Sequence, residues 1–355
     1  MANSPASRFL KVGSDDAALA LPEAFDSVVR ADWENMTYLS NFEVDGIVQR
    51  RDVGPGQKFE FKEVGELDDA VNYTEGTEMT GQNYAFDEGE VTVDPYLVKH
   101  NFLPDGQVSD WQWEAMMPLA REQAEAHARV VDKRGFVMLA LAAREAAKTK
   151  AGIDGNALQI HPGGNRVNRV GANGIQSAYP ATKTGAFQLR DDIEQVLQSA
   201  AENDAPYGGV TAFMSPYLKR VLSKDDRKFD RDFGSTPNSY VGYEIVEDAG
   251  VRFVFTNNMP STNITGTSLG GTASDNLASK YQSDFRYTAT NGQPAVLFAW
   301  SAGNRSPIGY VTKGGVQTRT VPQETKLGTL LMSYQRCGWG IIHPPCAGEI
   351  YVTDS

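Results

Sequence analysis

Residues Ser109 to Lys150 read SDWQWEAMMPLAREQAEAHARVVDKRGFVMLALAAREAAKTK, with the period of one long helix. Ser109 is a good N-cap, and Gln112 three residues on completes a capping box. Pro118 removes a backbone donor and clashes with the preceding turn, so a kink or fresh start is expected there. Beyond it, Ala120, Ala124, Ala128, Val131, Gly135, Met138 and Ala142 recur at steps of four and three, one helical face. Arg121, Glu122, Glu125, Arg129, Asp132 and Lys133 fall mostly on other faces. Gly135 costs about 1 kcal/mol against alanine in mid-helix. With the alanines it predicts a close crossing by another backbone. Lys148 and Lys150 suit the negative end of the helix dipole. From Pro118 to Lys150, at ~1.5 Å per residue, the rod is roughly 48 Å long. Such a helix is either an ordinary core element or a spine spanning a flat, extended subunit.

At 355 residues the chain is long enough for two or three domains with real cores. Its 33 basic against 45 acidic residues give a net charge of −12. That argues against a general nucleic-acid binder, whose affinity comes from neutralising phosphates, and disfavours anionic membranes. No segment approaches the ~20 apolar residues of a bilayer span. The N-terminal MANSPASRFLKVGSDDAALA lacks a charged region followed by an apolar one, so no signal peptide is expected. Cys337 and Cys346 are the only cysteines, which argues against a disulfide framework and for a reducing compartment. Both read as small hydrophobes.

Residues 1–20 are small and polar and read as an extended arm. A short helix is expected over 22–34, with Phe25, Val28, Val29 and Trp33 on one face. Residues 48–94 change character. Phe59 and Phe61 alternate with Glu60 and Lys62, and Tyr84, Phe86, Val91 and Val93 repeat that period, giving a long two-stranded loop. Between Glu60 and Glu90 stand ten acids and one base, Lys62. A lone ribbon is marginal in water, and this one repels itself. It therefore lies on a basic or donor-rich surface, or it is a solvated acidic loop. Residues 91–103 read as strand, and 151–188 as an irregular crossover. A second, mixed α/β domain follows, with a helix over 191–201 and a strand over 210–214. Ser215-Pro216 then caps another helix. Further strands are expected at 241–246, 251–256 and 295–300, around a Ser/Thr/Gly-rich loop at 261–279. The tail 309–352 is mostly β, so the first domain is discontinuous in sequence.

The chemistry is sparse. His100, His127, His161 and His343 show no metal spacing, and HExxH, CxxC, Walker A and GxGxxG are absent. His127, beside the alanine face, reads as a satisfied or interfacial histidine. Gly266-Thr267-Ser268-Leu269-Gly270 matches GxSxG, and Asp275 or Asp284 with His343 would complete a triad order. A nucleophile elbow needs a strand before and a helix after, and neither flank fits. The carboxylates of 60–90 lack an EF-hand pattern. No catalytic residue, cofactor or metal is assigned, and an enzyme is not expected.

Four stretches form an ordered pattern. They are the acidic ribbon before the long helix; Phe213-Met214-Ser215-Pro216-Tyr217-Leu218; Val241-Gly242-Tyr243-Glu244-Ile245-Val246 with Asn258-Met259-Pro260; and Ala295-Val296-Leu297-Phe298 with Tyr334, Gly338-Trp339-Gly340 and Pro344-Pro345. In order and spacing they resemble the major capsid proteins of tailed double-stranded-DNA phages, the Hong Kong 97-type fold. The length, and the loop after Met259-Pro260, are most like those of short-tailed podoviruses. His343 departs from the pattern, standing where the family commonly has Arg.

The resemblance implies an α+β subunit. It would have an N-terminal arm (1–21), an N-terminal helix region (22–47) and an extended E-loop (48–92). A P-domain (93–185) would carry the spine helix 109–150, an A-domain would span 186–311, and return strands (312–355) would complete the P-domain. It implies E-loop contacts to a neighbouring subunit through Phe59, Phe61, Glu63, Glu66, Asp69, Tyr84 and Phe86. The spine would pack through Ala124, Ala128, Val131, Gly135 and Met138. The implied function is a virion shell protein, assembled in the host cytoplasm into pentamers and hexamers around double-stranded DNA without sequence-specific binding. Implied partners are a separate scaffolding protein and a portal protein, with a decoration protein an open option and no membrane. Lys62 is the one cross-linking candidate in the acidic loop. Alternatives are an encapsulin-like compartment sharing the fold, or a β-rich hydrolase or adhesin with Ser268 in its GxSxG loop.

Overall fold

The computed structural model of the chain describes residues 28–30, 39, 46–54, 58–65, 67, 72, 75, 83–104, 113–203, 208–224, 240–241, 244–245, 247–248, 250–265, 269, 277–301 and 305–354. The expected arm, the capping box at Ser109 and Gln112, ribbon residues Glu66 and Asp69, and Ser268 and Asp275 lie outside these residues. The elements are β1 (Val48–Asp52), β2 (Phe59–Val64), β3 (Phe86–Val91), β4 (Leu97–Pro104), α1 (Trp113–Arg144), β5 (Lys148–Ala151), β6 (Ala157–His161), β7 (Asn165–Val170), α2 (Ile175–Ala178) and α3 (Lys183–Glu202). There follow β8 (Gly208–Met214), α4 (Pro216–Leu222), β9 (Tyr240–Val241), β10 (Glu244–Ile245), β11 (Glu247–Asp248), β12 (Val251–Phe255), β13 (Asn263–Ile264) and α5 (Leu277–Lys280). The chain closes with β14 (Ser283–Asp284), β15 (Gln293–Ser301), β16 (Ile308–Gln323), β17 (Gly328–Ile341) and β18 (Ala347–Thr353).

Two sheets carry the fold. One has the order β1-β16-β17-β4, built from both ends of the chain, with β1 parallel to β16 and the other pairs antiparallel. A bulge in β16 between Thr312 and Val316 places Gly314 and Gly315 at φ 79° and 62°, the left-handed region that glycine enters without a Cβ penalty. The other sheet has the order β11-β12-β8-β15-β18-β7. The tail therefore divides: β16 and β17 stay in the first sheet, while β18 joins the second, between β15 and β7.

Helix α1 packs on both sheets. Ala120, Ala124 and Ala128 lie on Val29, Leu103, Val316 and Leu331. Further along, Val131, Phe136, Met138, Leu139 and Ala143 share a core with Phe213, Leu297, Tyr310 and Trp339. The expected packing face is thus buried within the chain. Gly135 is close-packed as expected, but against side chains and not backbone: a Cβ there would lie 2.7 Å from Leu39 Cδ1 and 3.0 Å from Trp339 Cζ2. Asp132, assigned to an outer face, is buried and accepts from the Leu39 N–H at 3.3 Å.

Several boundaries differ from expectation. The helix runs through Pro118, in its second turn, losing only the donor that proline lacks. It stops at Arg144, and Lys148 and Lys150 lie in β5, paired with Asp87 of β3, so a distant carboxylate replaces the helix terminus as their partner. The stretch 151–188 is not irregular. It holds β6, β7, α2 and the start of α3, where the Thr182 side chain accepts from the Gly185 N–H. Its strands escape a hydrophobic-period reading because the β5–β6 hairpin is largely exposed and β7 buries Asn165 along with Val167. The strand expected over 241–246 is broken into β9 and β10, and Ser215 precedes α4 without a side-chain capping bond.

Two buried carboxylates fasten α1 to its surroundings. Asp94 accepts from Arg134 Nη1 (3.3 Å), Lys280 Nζ (2.7 Å) and the Tyr281 hydroxyl (2.7 Å). Arg134 also donates to the Leu269 carbonyl, and Tyr281 accepts from the Trp339 N–H. Glu349 of β18 is fully buried; it takes both Arg144 Nε (2.9 Å) and Nη2, and Arg166 Nε at 3.2 Å. His127 is buried against β17, its Nε2 2.9 Å from Ser333 Oγ, and that hydroxyl donates to Gln123 Oε1 at 2.8 Å. Among the described residues its Nδ1 has no hydrogen-bond partner. Burial pushes the His127 pKa down from 6.5 to about 4, so the ring is neutral at pH 7.

Two outcomes follow. Asp94→Ala leaves Arg134 with an unmatched buried charge and should lower unfolding free energy by about 3–5 kcal/mol in a denaturant titration. For His127, the unfolded state binds the extra proton between pH 6.5 and about 4, so stability falls as pH drops through that window. At about 1.4 kcal/mol per pH unit the full loss is about 3 kcal/mol. Urea titrations at pH 7 and pH 4 should show it in the wild type and a shallower fall in His127→Gln.

Candidate assembly surfaces

The acidic ribbon is β2 paired antiparallel with β3, with Phe59 opposite Val91, Phe61 opposite Gly89 and Glu63 opposite Asp87. The period of two sends Phe59 and Val91 inward, onto Val311 and Ile342 of the same chain. The Arg51 guanidinium lies 5.0 Å from the Phe59 ring centre. The Phe61 ring lies against Gly89, where any Cβ would come within 2.1 Å of it. Glu63 Oε1 is 2.9 Å from His343 Nδ1, both side chains nearly buried. The ribbon's root is thus anchored on its own body; the expectation that it needs a neighbour for any shape does not hold for these residues.

Among the described residues Glu60, Glu88 and Glu90 face outward. Lys58 meets Glu90 at 2.6 Å and Lys62 meets Glu88 at 3.3 Å, both in solvent. Asp87 accepts from Lys148 and Lys150, and these bonds hold its carboxyl below the usual range. Further out, Tyr84 (43% exposed) and Phe86 (53%) stack edge to face at 5.4 Å, with exposed Val64 opposite Phe86. Of the ribbon residues singled out from sequence, Phe59 is inside, Phe61 and Glu63 are in the root, and Tyr84 and Phe86 are free to meet a partner.

A second surface escaped the sequence reading. On the face of the four-stranded sheet away from α1, Tyr96, Val98 and Phe102 are exposed, at 59%, 48% and 38%. Strand register sets Tyr334 beside Val98, Met332 beside His100 and Arg319, and Leu330 beside Phe102. Arg336 lies 5.0 Å from the Tyr96 ring. The four strands of this sheet contain Arg50, Arg51, Lys99, Lys313, Arg319 and Arg336 against a single acid, Asp52. In so acidic a chain this imbalance, and the alternation at 96, 98 and 102, were legible signals.

The hydrolase arrangement does not form among the described residues. His343 pairs with Glu63, and Asp284 pairs with Arg286 at 2.6 Å. His161, whose pKa burial lowers, lies in the field of Glu63 and His343, so the fold gathers histidines that are far apart in sequence. Among the described residues no group of three or more His, Cys, Asp or Glu side chains is placed to hold a metal ion. No described helix is long and apolar enough to cross a membrane. A 360 Å³ groove between β7 and α3, lined by Arg166, Asn168, Gln195, Gln198 and Glu202, contains no histidine or cysteine.

No family model and no curated protein matches the chain. Solved structures do. The capsid structure of the cyanophage P-SCSP1u is 22% identical, with 87% of each chain covered and a TM-score of 0.68. The mature capsid of bacteriophage PhiM1 is 15% identical, covering 87% of this chain and 86% of that one, with a TM-score of 0.67. The chain has the phage capsid fold. The capsid of the native GTA particle also matches, at 12% identity, 89% and 91% coverage and a TM-score of 0.54.

The two ends of the ribbon should respond differently to truncation. Phe59→Ala should cost about 3–5 kcal/mol, and Phe86→Ala within about 0.5 kcal/mol, as for a surface position. Thermal and urea unfolding of the two variants would measure the difference.

Proposed function

We propose that this chain is the major capsid protein of a tailed double-stranded-DNA phage, building pentamers and hexamers that close an icosahedral shell. The observation that carries the reading is the capsid fold over 87% of the chain. The charge layout supports it. An acidic ribbon with exposed Tyr84 and Phe86, and a sheet face carrying Arg319 and Arg336 beside exposed Tyr96, Val98 and Phe102, are complementary. Such a pair of unlike patches makes a head-to-tail contact, and head-to-tail contacts close rings. The ribbon acts as the E-loop and lies across the sheet of the next subunit, with Tyr84 and Phe86 facing that partner. Arg319 and Arg336 on this sheet meet the ribbon's repulsion with opposite charge.

The four-stranded sheet and α1 form the P-domain, and the six-stranded sheet forms the A-domain. On that division β7 and β18 fall with the A-domain, although they lie outside 186–311. A separate scaffolding protein and a portal protein serve as assembly partners, and the net negative charge keeps packaged DNA from adhering to the wall.

The test is a charge swap. Arg319→Glu with Arg336→Glu should leave a soluble, folded subunit, and shell yield by negative-stain microscopy should fall about tenfold or more. Adding Glu88→Lys and Glu90→Lys should recover shells. Normal particles from the arginine variant would count against the ribbon-on-sheet contact; a wild-type protein that never forms shells with its scaffold would sink the capsid reading itself.

A further inference from the structure

The β5–β6 hairpin follows within four residues of the end of α1 and runs alongside the ribbon. Its contacts with the ribbon are specific. Asn83, just before β3, is buried, and its side chain grips the hairpin's turn: Oδ1 accepts from the Asp154 N–H at 3.2 Å and Nδ2 donates to the Asn156 carbonyl at 3.4 Å. Next to it, the Tyr84 carbonyl accepts from the Ile153 N–H at 3.3 Å. The turn leaves room for this amide only because residue 152 is glycine; a Cβ there would lie 2.1 Å from Asn83 Oδ1. At the other end of the hairpin, Lys148 and Lys150 converge on Asp87 of β3.

We propose that Asn83 is a positioning residue that locks the ribbon to the hairpin, so that the end of the long helix sets the direction in which the ribbon projects. The physical argument is leverage. The root contacts at Phe59 and Glu63 fix where the ribbon starts, but a two-stranded ribbon held only at its root pivots and twists freely. A second line of attachment, running from Asp87 to Asn83, removes that freedom. Asn83 suits the task because one amide carries both a donor and an acceptor and so substitutes for a ladder rung between two hairpins that share no sheet. The ribbon's angle then determines how one subunit meets the next and hence shell curvature. This last step rests on the capsid reading; the lock itself does not.

The experiment has two arms. In the first, hydrogen exchange on the purified full chain compares wild type with Asn83→Ala. Exchange at Ile153, Asp154 and across 84–91 should speed up about tenfold, while amides of α3 and β15 remain at wild-type rates. Unchanged exchange at 84–91 would overturn the lock. In case Asn83→Ala fails to fold, the exposed pair Lys148→Glu with Lys150→Glu should give the same loosening, and adding Asp87→Lys should reverse it; failure to loosen, or loosening that the third change leaves in place, would overturn it equally. In the second arm, shells assembled from Asn83→Ala should spread in diameter when measured by electron microscopy. A wild-type diameter distribution from a variant whose ribbon exchanges faster would refute the link to curvature. Absence of shells from the wild type itself would instead remove the capsid reading and leave the exchange result standing.

Discussion

Phe59 and Val91 face each other across the acidic ribbon, and both are buried on Val311 and Ile342. That small apolar contact is where the ribbon joins the body, and the rest of the exposed architecture depends on it. A two-stranded ribbon has no interior of its own. Its charges repel one another at a distance shorter than a Debye length. It keeps a defined path because its root is packed, because Glu63 meets His343, and because the neighbouring hairpin grips its flank. What remains uncovered is the outer end, with Tyr84 and Phe86 in solvent. The chain thus exposes Tyr84 and Phe86 on the ribbon and Tyr96, Val98 and Phe102 on the four-stranded sheet.

The body that carries the arm is held by a helix between two sheets. Its anchoring carboxylates, Asp94 and Glu349, are both buried, and removing such ions from water costs several kcal/mol each. Each is compensated by more than one partner: Arg134, Lys280 and Tyr281 for the first, Arg144 and Arg166 for the second. The partners come from distant parts of the chain. Each cluster therefore forms only in the correct tertiary arrangement, and an incorrect one leaves a charge uncompensated. The neutral His127 plays the same part on a smaller scale, its Nε2 bound to Ser333 in the middle of β17.

Much of the fold was legible because it rests on local regularities. The alanine and valine steps along 120–142 gave the long helix and its buried face. The alternation in 59–64 and 86–91 gave the ribbon, and the apolar run 295–300 gave the central strand β15. The misreadings share a cause. The helix ended early because Lys148 and Lys150 found Asp87, sixty residues back in the chain. The hairpin and β7 were missed because their partners, Asn83 and β18, are equally remote and their burial is polar. Asp132 was placed outside because a charged side chain on a helix usually is; here the Leu39 N–H draws it in.

Composition and period determined that this is an acidic α+β chain with a long helix, a charged ribbon and strands returned from its far end, because hydrophobic repeats and charge are properties of the chain read in order. Only the tertiary structure decided which side of each element is shared. It turned Phe59 inward and Phe86 outward, left Tyr96, Val98 and Phe102 exposed on the sheet, and set Asn83 into the turn at Gly152. These are contacts between residues far apart in sequence, and no local pattern encodes them, since their energies appear only when the separate segments meet.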